Sequence, residues 1–133
     1  MATADPQPKA GAVLYAADMT SLATFYGQVC NLAVVGWEED HVILESAAFQ
    51  LVVRQMPRAI AEAIEISVPP MRRSNAAAKL VFFVEDLETA CNAAIACGGV
   101  PDKSAKPWTF RGWAAWDTLD PEGNVVQLRA PAV

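Results

Sequence analysis

The stretch VLYAADMTSLATFY (13–26) recurs in form as VFFVEDLETACNAA (81–94). Each copy is a short apolar run, an aspartate, and then a segment with apolar residues at helical spacing. A chain that repeats a supersecondary unit must bury two equivalent faces, which confines it to two similar modules sharing a core. Asp18 and Asp86 stand where a helix N-cap is wanted, with Ser21 and Thr89 three residues on. Leu22, Phe25, Tyr26 and Val29 make one apolar stripe, and Leu87, Ala90, Cys91 and Ala94 make its counterpart. Cys30-Asn31 and Gly98-Gly99 supply the stop signals. Capping accounts for both aspartates at once; a catalytic role is the alternative.

Three strand-like pieces follow each helix. In the first half they are Leu32–Trp37, His41–Glu45 and Phe49–Arg54. In the second they are Val100 with its neighbours, a segment within Trp113–Leu119, and Asn124–Arg129. Each half therefore reads βαβββ. Between them a short helix over Arg58–Ile64 gives way to a linker, because Pro69-Pro70 cannot continue a helix. Residues 1–10 form a flexible lead without the basic and apolar regions of a secretory signal.

Composition removes several function classes. At 133 residues and 53% hydrophobic, the chain fits one domain with a sizeable core rather than a disordered one. A net charge of −5 gives no electrostatic basis for nucleic-acid binding, and no apolar run approaches a membrane span. Cys30, Cys91 and Cys97 lack metal-ligand spacing, so reduced thiols in a cytoplasmic protein are the plain expectation.

The duplicated unit, the Phe25-Tyr26 pair in the first helix and the closing DPEGNVVQL (120–128) together resemble the vicinal oxygen chelate superfamily. That superfamily holds the glyoxalases, bleomycin-resistance proteins and extradiol dioxygenases. The resemblance implies an α+β fold: two βαβββ modules forming a curled mixed sheet with a concave ligand site, usually in a homodimer. Module one would span 11–55, the linker 56–78 and module two 79–130, within one domain of residues 11–133. Function does not follow from the fold.

In the metalloenzymes of that superfamily, His, Glu or Gln side chains on the first and last strands hold a divalent ion. The matching positions here are Gly11, Val52, Lys79 and Gln127. Gly and Val donate nothing, Lys brings a competing charge, and a neutral amide alone is a weak ligand. No metal and no other cofactor is expected. His41, with Glu38 or Glu39 nearby, lacks the spread of a metal site and reads as a structural or surface residue.

Taking the ligand positions as the inward register turns Val13, Tyr15, Val81 and Phe83 toward the concavity, with Arg54, Val125, Gln127 and Arg129 on the last strands. Gln127 would either bond a neutral polar ligand or satisfy nearby backbone. KPWTFRGWAAW (106–116) reads as a loop running into a strand, leaving Trp108 and Phe110 free to act as a lid. Trp113 and Trp116 face opposite ways, and core packing claims at least two of these four aromatics. Glu85, or Glu38, Glu39 or Glu45 at the rim, are candidate carboxylates for acid–base work beside Lys79. The expected ligand-binding set is Tyr15, Arg54, Lys79, Phe83, Trp108, Phe110 and Gln127. The function it points to is metal-independent sequestration of an aromatic or amphipathic small molecule, as in the bleomycin-resistance branch. The rival is a lyase, isomerase or dioxygenase with a degenerate metal site; a structural partner protein is the third possibility.

Overall fold

The computed structural model describes residues 7–103 and 106–132. Most of the ten-residue lead (residues 1–6) and the last residue of the expected domain lie outside them. Module one runs β1 (Ala10–Ala16), α1 (Met19–Val29), β2 (Ala33–Trp37), β3 (His41–Glu45) and β4 (Phe49–Gln55). A short helix α2 (Arg58–Ala63) leads into the linker. Module two runs β5 (Leu80–Phe83), α3 (Leu87–Ala96), β6 (Val100–Pro101), β7 (Trp108–Phe110), β8 (Trp113–Leu119) and β9 (Val125–Pro131).

The two modules make separate sheets of the same topology. The first has strand order β1-β4-β3-β2, and the second β5-β9-β8-β6 with β7 added against β8. In each, the first and last strands pair in parallel and the others antiparallel. A parallel pair needs a crossover, which the helix and following hairpins supply.

The helices begin where the sequence places them. Asp18 accepts a hydrogen bond from the Ser21 N–H at 3.1 Å, and Asp86 accepts from the Thr89 N–H at 2.8 Å and its hydroxyl at 2.7 Å. These bonds satisfy amides that have no partner within the helix. Asn31 (φ 55°) and Gly98 (φ 84°) end the two helices in the left-handed region. Helix α1 packs on β3 and β4, α3 packs on β6, β8 and β9, and the two helices touch each other. Both therefore lie on one side of the sheets. Leu22, Phe25, Tyr26, Leu44, Leu51, Val126 and Leu128 are fully buried there; each such side chain contributes about 1.5–3 kcal/mol by leaving water.

The DPEGN turn locks the modules together. Asp120 is fully buried, and its carboxylate accepts from the Glu122 and Asn124 amides, the Asn124 side chain and the Tyr26 hydroxyl, at 2.8–3.0 Å. Glu122 reaches the other module, accepting from the N–H groups of Ala17 (2.9 Å) and Asp18 (2.8 Å). Arg73 of the linker straps the same turn, donating from Nε to the Glu122 carbonyl at 3.1 Å. Tyr26 and the acidic turn residues thus hold the modules together. No helix of the described residues is long and apolar enough to cross a membrane.

Candidate functional site

With the helices on one side, alternate strand residues face the other side and stay open. On β1, Val13 and Tyr15 are exposed while Ala16 is buried; on β4, Leu51 and Val53 are buried while Arg54 is exposed. On the second sheet, Phe82, Val126 and Leu128 are buried, and Phe83, Gln127 and Arg129 turn to the open side. The alternation is the ordinary consequence of a pleat with one face packed.

The main difference from the sequence reading lies at Trp108 and Phe110. They are not in a free lid but in strand β7, paired to β8 through Trp108↔Ala115 and Phe110↔Trp113. Arg111 (φ 52°) and Gly112 (φ 83°) make the intervening two-residue turn, with the positive φ pair that matches strand twist in tight hairpins. The signal was present as Arg-Gly between aromatics. Pairing fixes Trp108, Phe110 and Trp113 on the open face, whereas Trp116 pairs with Leu128 on the helix side and packs against the core. Core packing therefore takes one of the four, not two.

The open face of the second sheet is consequently aromatic. Trp108 and Phe110 stack with ring centroids 5.2 Å apart and planes 11° apart. Phe83 meets Trp113 edge to face at 4.7 Å. Phe83, Trp108 and Phe110 are each about half exposed, at 55%, 52% and 48%. A groove of about 670 Å³ meets this face only at Phe83 and Trp113; the rest of it runs between the end of α1 (residues 28–31) and α3 (Thr89, Ala90, Ala93), away from Trp108, Phe110 and Gln127.

A polar row runs beside the rings. Lys79 is ion-paired to Asp117 at 3.2 Å, and Arg72 approaches the same carboxylate at 3.6 Å. The Gln127 side-chain amide donates to Asp117 at 3.2 Å and accepts from Arg129 Nε at 2.8 Å. Its orientation is forced, because Asp117 only accepts and Arg129 only donates. The Arg129 guanidinium lies 5.7 Å from the Phe83 ring centre and 6.0 Å from that of Trp108. Gln127 thus links an anchored carboxylate to an arginine held over aromatic rings. Asp117 escaped the sequence reading because only the β8–β9 register places it opposite Gln127.

Of the expected set, Lys79, Phe83, Trp108, Phe110 and Gln127 come together on this face. Tyr15 and Arg54 are cross-strand neighbours on the first sheet, with His41 next to Arg54. Among the described residues, no hydrogen bond, ion pair or ring contact joins Tyr15 or Arg54 to the second-sheet group. Asp40 lies 2.7 Å from His41 Nδ1 and 3.7 Å from Arg54. The His41 bond, aided by Arg54, holds its carboxyl below the ordinary range. Glu45 accepts from Gln50. The partner of Lys79 is Asp117 rather than any of the glutamates considered.

The residues at the superfamily's ligand positions do not fit a divalent ion. Lys79 and Gln127 are committed to Asp117 and Arg129, and Val52 has no donor. At Gly11, a Cβ would lie 2.7 Å from the Gln50 carbonyl oxygen, so a side-chain ligand would require the backbone to shift. Among the described residues, no three His, Cys, Asp or Glu side chains are grouped so as to hold a metal ion.

Comparison with known proteins agrees with this architecture. The structure is similar to a glyoxalase/bleomycin resistance protein/dioxygenase family enzyme from Burkholderia phytofirmans PsJN, at TM-score 0.65 and 20% identity over 92% of this chain and 97% of that one. It is similar to TioX from Micromonospora sp. ML1, at TM-score 0.64 and 13% identity over 95% and 100%. It is also similar to a bleomycin resistance determinant encoded on the transposon Tn5, at TM-score 0.60 and 17% identity over 96% and 100%. At such identities the likeness concerns the fold. No curated protein sequence matches the chain. The profile of the glyoxalase-like domain, however, matches residues 11–129, nearly its whole length. With its duplicated βαβββ modules, the chain belongs to the glyoxalase-like domain family, within the vicinal oxygen chelate superfamily.

Proposed function

We propose that this protein binds a small planar aromatic molecule on the open face of its second sheet and holds it without a metal ion. The observation carrying this reading is the array of exposed Phe83, Trp108 and Phe110 with the partly buried Trp113, beside the row Lys79–Asp117–Gln127–Arg129. Apolar walls with a few fixed polar groups are what a small-molecule site requires. Acid–base turnover has less support, since Lys79 is tied to Asp117 and Asp117 sits between two cations. Tyr15 and Arg54, neighbours on the open face of the first sheet, belong to the proposed ligand-binding set as well. The chain acts in the cytoplasm as a homodimer of one-domain subunits, residues 11–133. Exposed Val34, Val35 and Trp37 on edge strand β2 support self-association.

A thermal-shift screen of aromatic compounds, read with tryptophan fluorescence, tests the binding. Saturable stabilisation that Trp108→Ala abolishes is expected, amounting to about 2.7 kcal/mol at a hundredfold excess over Kd. A ligand bound with full affinity by the Trp108→Ala and Phe83→Ala variants would overturn the assignment. Near-stoichiometric metal in tag-free protein, lost in Gln127→Ala, would overturn metal independence. Light scattering tests the dimer.

A further inference from the structure

The duplication sets two arginines in the same place. Arg54 on β4 lies beside Tyr15 of β1, and Arg129 on β9 lies beside Phe83 of β5. Their surroundings differ in one respect. Arg54 has Asp40 within 3.7 Å, and its antiparallel neighbour His41 bonds the same carboxylate. The antiparallel neighbour of Arg129 is Ala115, and its hydrogen-bonding neighbour is the neutral Gln127. Asp117, the carboxylate further along the row, is already opposed by Lys79 and Arg72. Among the described residues, Arg129 makes no ion pair.

Its geometry is nevertheless fixed. Nε is held by Gln127 and Cζ lies over the Phe83 and Trp108 rings; with no ion pair among the described residues engaging it, the Nη1–Nη2 edge is open to another molecule. That edge offers two parallel donors matched to a planar carboxylate. The rings already engage this cation, so a cationic ligand would compete with Arg129 for them and be repelled by it. A neutral ligand would leave the charge without compensation. We infer that the ligand is a planar aromatic carboxylate, its ring on the Trp108–Phe110 stack and its carboxylate on the Nη edge of Arg129. This rests on the binding site proposed above and adds the charge of its ligand.

Three isosteric probes separate the two claims: 2-naphthoate, 2-naphthamide and 2-naphthylmethylammonium, titrated by tryptophan fluorescence and calorimetry. Naphthoate is expected to bind about tenfold or more tighter than the amide, and the ammonium compound most weakly. Arg129→Gln should remove most of the advantage of naphthoate over the amide, read as the ratio of the two affinities within the same variant. Arg129→Lys, which keeps the charge but not the fork, should recover part of the preference and serves if the glutamine variant does not fold. Equal binding of all three probes, lost in Trp108→Ala, would overturn the carboxylate inference and leave the aromatic site standing. Preference for the ammonium probe, or naphthoate affinity untouched in both Arg129 variants, would overturn it as well. Failure of all three to bind at millimolar concentration would overturn it too, with the site itself then judged by the wider screen.

Discussion

Replacing Tyr26 with Phe removes one oxygen from a fully buried polar cluster and leaves the ring in place. Tyr26 and Asp120 have 1% and 0% of their surfaces exposed, and their oxygens are 2.8 Å apart. Burial, reinforced by the Asp120 charge, pushes the phenol well above its ordinary range, so it remains a donor at any pH the fold survives. Burial also raises the Asp120 carboxyl, and hydrogen bonds from Asn124 and Tyr26 offset part of that rise. A hydrogen bond to a charged group is worth about 1.5–3 kcal/mol, so Tyr26→Phe should lose that much at neutral pH. In a domain of this size the melting temperature should fall by about 5–12 °C.

The pH dependence gives the sharper test. A carboxyl whose folded pKa lies above its unfolded one binds its proton more tightly in the folded chain. It therefore adds stability as pH falls through the raised value and loses it as pH climbs back. Tyr26→Phe removes a bond that favours the charged form and raises the Asp120 carboxyl further. Its penalty is thus full above the Asp120 titration and shrinks below it, toward the roughly 0.5–1.5 kcal/mol of a bond between neutral groups. Urea unfolding of both proteins, from neutral pH to the acid limit of the native state, measures this difference. A penalty below about 0.5 kcal/mol at neutral pH, or one unchanged through the carboxylate range, would refute the reasoning.

Glu122→Gln should cost about 1–3 kcal/mol, because Ala17 and Asp18 donate to different carboxylate oxygens and a glutamine keeps one accepting oxygen, leaving an NH2 facing the other N–H; unchanged urea stability would show that this link between modules is idle. Gly123→Ala should cost about 2–4 kcal/mol, since Gly123 has φ 83° and an added Cβ would run into the Met71 carbonyl oxygen; a melting curve matching the parent would contradict that packing. Burial raises the thiols of Cys30 and Cys91, so in the native protein only half-buried Cys97 should react readily with Ellman's reagent, and all three after unfolding; fast reaction of two native thiols would contradict the burial pattern.

What the sequence by itself determined is what short-range physics controls. Asp18 with Ser21 and Asp86 with Thr89 cap helices through atoms three residues apart, and the apolar stripes of α1 and α3 follow from helical periodicity alone. Because both signals occur twice, the duplicated βαβββ architecture was legible, as was the alternation that turns Phe83, Gln127 and Arg129 to the open face. The marks Phe25-Tyr26 and DPEGN identified the family, but their purpose emerged only when Tyr26 met Asp120 across 94 residues of chain. The site was decided the same way. Whether Trp108 and Phe110 sit in a loop or a strand depends on edge pairing with β8, to which local sequence contributes only the Arg111-Gly112 turn. The role of Asp117 depends on the register that sets it opposite Gln127 and within reach of Lys79, a residue 38 positions away. Caps and stripes are settled by neighbours along the chain, whereas strand partners and ion pairs are settled by whatever the finished fold brings alongside.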